Sequence, residues 1–475
     1  MREPDPAVSK DPPPAGVIAC GSAPGRISGT TYAYLITAVT ALGGFLFGYD
    51  TAVQSGAIGY LEDHFRLSAT EKGFGASSIL YGCVVGAAFA GILSDRFGRK
   101  RLLILASILF AVSAVGSAFP RTFTEFNIAR LVGGLGVGIA SLSCPLYIAE
   151  SSPARIRGRM VSLYQLSIVT GILTVYFVNA GIADLGDRSW NESLGWRWMF
   201  GSETLPALLF FSLLFLVPES PRWLTKQGSE GEALKILGRI NGSRQAQVEL
   251  EDIKNVLAAE SGSLSQLFQG GFRLALLVGV GLAILQQVTG INSIILYAPD
   301  IFRSAGFGDN SSLWQTVCIG GVNLMFTFVA IGLVDKAGRK TLLLAGSAGM
   351  AVCLALIGAA FQLGMSQSPW LFLFILLFVA SFAMSLGPVV WVMIAEIFPI
   401  GIRGQAMAIA TAVVWLSCIM VTQTFPMLVE GIGNAATFWI YGALSIVTFV
   451  FVLVAVPETK GRSLEEIERG WSRRK

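Results

Sequence analysis

The motif Asp95-Arg-Phe-Gly-Arg-Lys100 returns 240 residues later as Asp335-Lys-Ala-Gly-Arg-Lys340. Two further pairs keep the same order. Glu150-Ser-Ser-Pro-Ala-Arg-Ile-Arg157-Gly158 recurs as Glu396-Ile-Phe-Pro-Ile-Gly-Ile-Arg403-Gly404, offset by 246. Pro218-Glu219-Ser220 recurs as Pro457-Glu458-Thr459, offset by 239. Three motifs in one order at nearly one spacing mean two homologous halves. Each motif sits at the polar edge of a long apolar run, so the duplicated unit is a set of apolar helices. A channel or receptor reading leaves this duplication unexplained.

The composition agrees. Of 475 residues, 53% are apolar types and 13% are charged, about half the charged share usual in soluble domains. Mean hydropathy is +0.65. That balance excludes a soluble enzyme, a disordered chain or a nucleic-acid binder and leaves a polytopic membrane protein. The lone histidine, His64, argues against a His-based metal site or triad, and no cofactor loop is present. Of the cysteines, all but Cys20 lie in apolar runs and read as small buried hydrophobes. Apolar stretches near 32–56, 73–94, 101–119, 126–149, 159–182 and 197–217 predict six spans. Six more are predicted near 271–303, 312–334, 341–363, 369–398, 404–429 and 436–457. The expected fold class is an all-α membrane protein of 12 helices. Its expected parts are a disordered tail (1–31), two six-helix halves (32–217 and 271–457), a cytoplasmic helical linker (218–270) and a C-terminal tail (458–475). With both termini on one side, 27 of the 34 Lys and Arg residues fall on that side, against six opposite. The excess predicts cytoplasmic termini.

The repeated loop residues also have a chemical reading. Asp95, Arg99, Glu150, Arg157 and Glu219, with counterparts Asp335, Arg339, Glu396, Arg403 and Glu458, place opposite charges at one membrane face. They are expected to latch helix ends when the cytoplasmic side closes. Parallel repeats of this kind are the architecture of major facilitator transporters. Asp95-Arg-x-Gly-Arg-Lys, Glu150 with Arg157-Gly158, Pro218-Glu-Ser-Pro-Arg222, Gln286-Gln287-x-x-Gly290-Ile-Asn292 and Pro457-Glu-Thr-Lys-Gly461 together resemble the sugar porter family of that superfamily. The resemblance extends from about Ala33 to Glu466 and implies its fold and transport activity. It also implies similarity to bacterial xylose/proton and glucose/proton symporters and, more distantly, to animal glucose facilitators.

A monosaccharide offers hydroxyls on an apolar ring. Neutral amides can donate and accept, and aromatic rings cover C–H faces. The candidate amides within spans are Gln165, Gln286, Gln287, Asn292 and Asn323; the candidate aromatics are Phe47, Trp391 and Trp415. Gln286 and Gln287 are six and five residues from Asn292, a spacing that fits a broken helix, with Gly290 as the break. A second break is expected at Gly387-Pro388, before Trp391. The resemblance implies that these eight residues hold sugar and that Tyr297 gates the outer side. It also brings out departures. Ile172 replaces a glutamine of the xylose symporters, Val414 and Cys418 replace amides that are frequent in the family, and Leu296-Tyr297 replaces a Tyr-Tyr pair. The expected C-terminal side of the pocket is therefore less polar.

Asp50 and Arg130 fall within spans one and four, where an isolated charge costs about 2.5–3.5 kcal/mol on insertion scales. Their expected role is proton coupling, with Asp50 carrying the proton and Arg130 tuning it. The resemblance supports this: proton-coupled members have this aspartate and arginine, whereas animal facilitators have asparagine at the Asp50 position. Glu203 is a second buried-acid candidate, and Asp300 is expected to be solvated. The sequence therefore predicts a proton-coupled monosaccharide symporter, not an enzyme, for glucose or another hexose or for xylose. It is expected to work as a monomer in the plasma membrane, in contact with lipid and without nucleic acid, cofactor or metal. An uncoupled facilitator and a transporter-like nutrient sensor are the alternatives. Asp50 argues against the first, and the 18 residues from Glu458 onward argue against the second.

Overall fold

The computed structural model describes residues 29–153, 155–259, 272–398 and 403–460. Most of the expected N-terminal tail, the end of the C-terminal tail, Cys20, and the side chains of Asp335 and Arg403 lie outside the described residues. Within them the chain is helical, with no strand.

The first five spans are α1 (Gly29–Phe65), α2 (Ala69–Phe97), α3 (Arg99–Ala118), α4 (Phe123–Glu150) and α5 (Arg157–Ala183). Their starts follow local chemistry. Ser68 caps α2 in a reciprocal capping box with Glu71, and Thr122 caps α4. Gly98, at φ 96°, turns the chain between α2 and α3, a conformation that favours glycine. The sixth span is preceded by α6 (Arg188–Trp190) and one π turn, and consists of α7 (Trp196–Gly201) and α8 (Thr204–Leu214). The linker holds α9 (Pro221–Lys226), α10 (Glu230–Asn241) and α11 (Ser243–Ala259). It encloses its own small core of Leu224, Ala233, Leu237, Ala246 and Leu250, as its amphipathic sequence predicts.

The second half repeats the plan with two extra breaks. Span seven is α12 (Phe272–Val288) and α13 (Ile291–Ser304), and α14 (Asp309–Ala337) and α15 (Arg339–Gln362) follow. Span ten is α16 (Pro369–Met384) and α17 (Leu386–Ile397). Spans eleven and twelve run on as α18 (Arg403–Ala455), turned at Gly433 with φ 80°. Among the described residues, ten helical stretches are long and apolar enough to cross a membrane. The sequence predicts twelve. The difference arises because α7 and α8 are each too short alone and because the turn at Gly433 scarcely interrupts helical pairing.

Each half has its own apolar core. One cluster comes almost wholly from α12 onward. Two others come mainly from α1–α8 and are joined by Trp415, Cys418 and Ile419 of α18 and by Leu313 and Val317 of α14. In the membrane the cores do not gain from water exclusion between helices, so close backbone approach matters more. Gly48 on α1 faces the Ile168 carbonyl of α5, and Gly171 on α5 faces the Phe45 carbonyl of α1; a Cβ at either would collide. That contact sets the α1–α5 position from which Phe47, Asp50 and Gln165 project. The buried cysteines include Cys83, Cys144, Cys353 and Cys418, but Cys318 is exposed, contrary to expectation, because it lies on the outward face of α14.

Candidate functional site

The charged part of the site lies inside the first half. Asp50 on α1 and Arg130 on α4 are both fully buried. Arg130 Nη1 donates to Asp50 Oδ1, and Arg130 Nη2 donates to the Asp50 backbone carbonyl at 2.7 Å. The guanidinium also covers the Phe200 ring, 5.2 Å from its centroid. Glu203, fully buried at the start of α8, interacts with Asp50, and neither of its oxygens has a hydrogen-bond donor. Asp50 Oδ2 also lacks one. One guanidinium thus serves two buried carboxyl groups, an arrangement that needs a further positive charge or a bound proton to be neutral. Next to it, the Tyr49 hydroxyl and Ser202 Oγ hydrogen-bond at 2.7 Å, fixing the turn that presents Glu203.

The neutral part lies in the second half, where the helices break. Gly290 takes the left-handed conformation at φ 85° between α12 and α13, as its place in the motif predicts. Asn292 Nδ2 donates to Gln287 Oε1 across this break, and Gln287 Nε2 approaches Gln286 Oε1 at 3.5 Å. Gln286 Nε2 is committed elsewhere, donating to the carbonyls of Leu386 at 2.8 Å and Gly387 at 3.3 Å. Gln286 therefore splices the two broken spans together as well as facing its amide neighbours. The second break lies at Ser385, φ −131° and ψ −92°, two residues before the expected Gly387-Pro388. Proline is tolerated in a first helical turn, so the chain breaks ahead of Pro388 and α17 then carries Trp391.

The other expected sugar contacts are spread over α1, α5, α14, α17 and α18. Asn323 on α14 is buried, whereas Gln165 on α5, Asn292 and Trp391 are partly exposed. Phe47 meets Trp415 across the two halves, with centroids 5.6 Å apart. Trp415 Nε1 is buried without a partner. Tyr297 stacks on Phe425 at 5.1 Å and donates to the Thr422 carbonyl at 3.1 Å, holding the middle of α13 against α18.

The repeated loop motifs form the same structure twice. Arg99 binds Glu150 in a fork at 2.9 and 3.0 Å and reaches Asp95 at 3.1 Å. Glu219 accepts from the backbone nitrogens of Arg99 and Lys100, capping the start of α3. In the other half, Arg339 binds Glu396 at 2.8 Å, and Glu458 accepts from the nitrogens of Arg339 and Lys340 at the start of α15. Ser220 and Thr459 bind Glu150 and Glu396, respectively, which explains why the third motif pair is duplicated. Arg157 is placed differently: it approaches Glu249 of the linker at 3.8 Å.

At the end of the bundle opposite the repeated loop motifs, ion pairs join the halves. Lys72 on α2 holds Asp300 on α13 at 2.7 Å and also Glu62 on α1. Arg188 holds Asp63 at 2.8 Å and Asp309 on α14 at 3.0 Å. Asp300, expected to be solvated, is largely buried between Lys72 and Arg303. The sequence leaves this cluster unseen because its members come from five separate elements. Only the i,i+3 spacing of Asp300 and Arg303 was visible locally.

Two pseudo-repeated helical halves, a buried acid–guanidinium pair in one and broken helices lined with amides in the other define a membrane carrier of small polar solutes. The family model described as "Sugar (and other) transporter" matches residues 36–471, and the chain belongs to that family. It is 46% identical over 441 residues to the arabinose-proton symporter of Bacillus subtilis, covering 93% of this chain and 95% of that protein. It is 44% identical over 478 residues to the D-xylose-proton symporter of Escherichia coli K12, covering 93% and 96%. The inward open structure of the xylose transporter XylE from E. coli superposes with a TM-score of 0.82 at 43% identity, covering 92% of this chain and all of that one.

Proposed function

We propose that the protein carries a monosaccharide and a proton together across the plasma membrane, by alternating exposure of one central site. Asp50 binds the proton, Arg130 stabilises its charged form, and Glu203 is the neighbouring acid with which the proton is shared. Gln165, Gln287, Asn292 and Asn323 bind sugar hydroxyls, with Phe47, Trp391 and Trp415 against its C–H faces. Gln286 supports that set while bracing α12 to α17. The substrate is an aldose, a hexose or pentose. Its exact identity is set by a pocket in which Ile172, Val414 and Cys418 stand where a more polar relative carries amides.

The halves at 32–217 and 271–457 rock about this site, and the linker at 218–270 moves with the cytoplasmic helix ends. Both termini face the cytoplasm, and a single copy surrounded by lipid is the working unit. Asp95, Arg99, Glu150, Arg157 and Glu219 and their counterparts Asp335, Arg339, Glu396, Arg403 and Glu458 control the cytoplasmic side. Tyr297 and the outer ion pairs control the other.

The observation that carries this reading is the wholly buried Asp50–Arg130 pair with a second buried acid beside it. A helix-joining ion pair needs no extra acid, whereas a proton site gains a second acceptor. In liposomes with an inward proton gradient, the protein should accumulate sugar above equilibrium. Asp50→Asn should remove accumulation but keep sugar exchange. Parent protein that never exceeds equilibrium would instead be a facilitator.

A further inference from the structure

Asp50 faces away from the amide cluster, into the interior of the first half. Its Oδ1 is occupied by Arg130, but its Oδ2 has no donor. That oxygen lies beside Gly133 of α4, together with Ser113 Oγ of α3, and a side chain at 133 would strike both; Glu203 stands beside the same carboxyl. Ser113 Oγ also has no hydrogen-bond partner. One turn farther out on α1 is Gln54, four residues from Asp50 and on the same face. Gln54 is 1% exposed, and neither its amide oxygen nor its nitrogen has a partner. One turn farther out on α3 is Ser117, fully buried and also unpartnered. Because α1 and α3 both run toward the outer face, all these groups lie level with Asp50 or outward of it. Beyond them, Ala57 and Ala118 join Phe126, Trp196 and Phe200 in one apolar cluster.

A buried glutamine with both ends unmatched is costly in a membrane interior, where no bulk water compensates it. Three uncommitted polar side chains, Gln54, Ser113 and Ser117, with the Asp50 oxygen that lacks a donor, suit a short chain of water molecules. We propose that Gln54, Ser113 and Ser117 form a water-binding spur inside the first half, which loads Asp50 with its proton from the outer side, apart from the sugar's route between the halves. This rests on Asp50 being the proton site.

A proton from outer water passes along the held waters to Asp50 Oδ2. The new O–H bond neutralises the carboxylate, and the water that delivered the proton is left as neutral water. The aromatic cluster closes the spur in the conformation with the outer ion pairs joined, so the proton is not lost backward. The charged or titratable groups facing Asp50 are Arg130 from α4, Glu203 from the start of α8 and the Cys83 thiol from α2. None of them belongs to the spur. Gln54, Ser113 and Ser117 are positioning residues.

The test measures proton-driven accumulation and sugar counterflow in the same liposomes for Gln54→Leu, Gln54→Asn, a Ser113→Ala/Ser117→Ala pair and Asp50→Asn. Counterflow needs a folded carrier but no proton exchange. Gln54→Leu and the serine pair should each slow the proton-driven initial rate on the order of tenfold with counterflow unchanged. Gln54→Asn should recover most of the rate. Parental accumulation in both Gln54→Leu and the serine pair, with accumulation lost in Asp50→Asn, overturns the spur and leaves the proton site standing. Accumulation that persists in Asp50→Asn removes the proton site and the spur with it. If both variants lose counterflow and accumulation in parallel, the side chains serve packing and the spur is also overturned.

Discussion

In the first half, α1 runs unbroken past Asp50, and its interior holds two carboxyl groups and a guanidinium. In the second half, the corresponding span is broken at Gly290, and its interior holds neutral amides. The two halves descend from one repeated unit, as their matching loop motifs show, and those loops still fold alike: Arg99–Glu150 with Glu219 in one, Arg339–Glu396 with Glu458 in the other. The difference teaches that duplication preserved the helix-end machinery while the interiors diverged in physical character. Buried charges in a membrane interior face the bundle and pair with one another, as Asp50 and Arg130 do from the continuous helices α1 and α4. Irregular backbone is tolerated at membrane depth only where it lines protein or a cavity, and the break at Gly290 is lined by Gln286, Gln287 and Asn292. The buried ion pair thus sits on continuous helices, Glu203 joins it from the turn between α7 and α8, and the amide cluster sits at a break in the second half.

The largest expected effect follows from removing the guanidinium of the charged half. Arg130→Met leaves Asp50 and Glu203 facing each other, a change that should destabilise the fold by about 3–5 kcal/mol. Thermal unfolding in detergent should show the loss, and adding Glu203→Gln should restore part of it. No restoration would mean that the two acids do not share this cation. Next, Gly290→Ala should cost about 1–3 kcal/mol, because the left-handed backbone is strained for alanine and the added carbon would lie 2.7 Å from the Tyr441 ring. Its signature is a raised KM with the proton-to-sugar ratio intact; a changed ratio would dissolve the contrast between halves.

Smaller still, Gln287→Ala or Asn292→Ala should raise KM about tenfold, equivalent to roughly 1–1.5 kcal/mol of hydrogen bonding, again with coupling retained. An unchanged KM in both would move the sugar away from this break. The smallest effect is expected at the outer rim, where Arg188 is about half exposed. Arg188→Ala should shift the balance between outer-open and outer-closed forms by less than about 1 kcal/mol, read as a modest rise in labelling of a cysteine placed at the exposed Ser311 of α14. A shift as large as that from Lys72→Met, which removes the more buried cross-half pair, would show that exposure does not grade these contacts.

Much of this was legible in one dimension. Gly290 marked the span-seven break because few other residues tolerate its conformation. Pro388 marked the span-ten break, although the chain departs from helix at Ser385, since proline fits the first turn of the next helix. Asp50 and Arg130 stood out because charge is rare at that depth. Asp300 did not, because its sequence neighbourhood resembles a solvated helix end and its main partner, Lys72, lies in the other half. Gln286 read as a sugar amide, yet its nitrogen bonds the backbone of α17, a hundred residues away. Gln54 attracted no notice, since a single glutamine in an apolar span carries no periodic signal.

Hydropathy and repeat spacing settled membrane residence and the duplicated plan, because transfer free energies are local and add along a chain. Tertiary structure alone decided which oxygen of Asp50 the Arg130 guanidinium holds, which amides bond one another, and which charges bridge the halves. Those outcomes depend on ångström-scale distances between groups brought together from remote positions, and no local pattern encodes them.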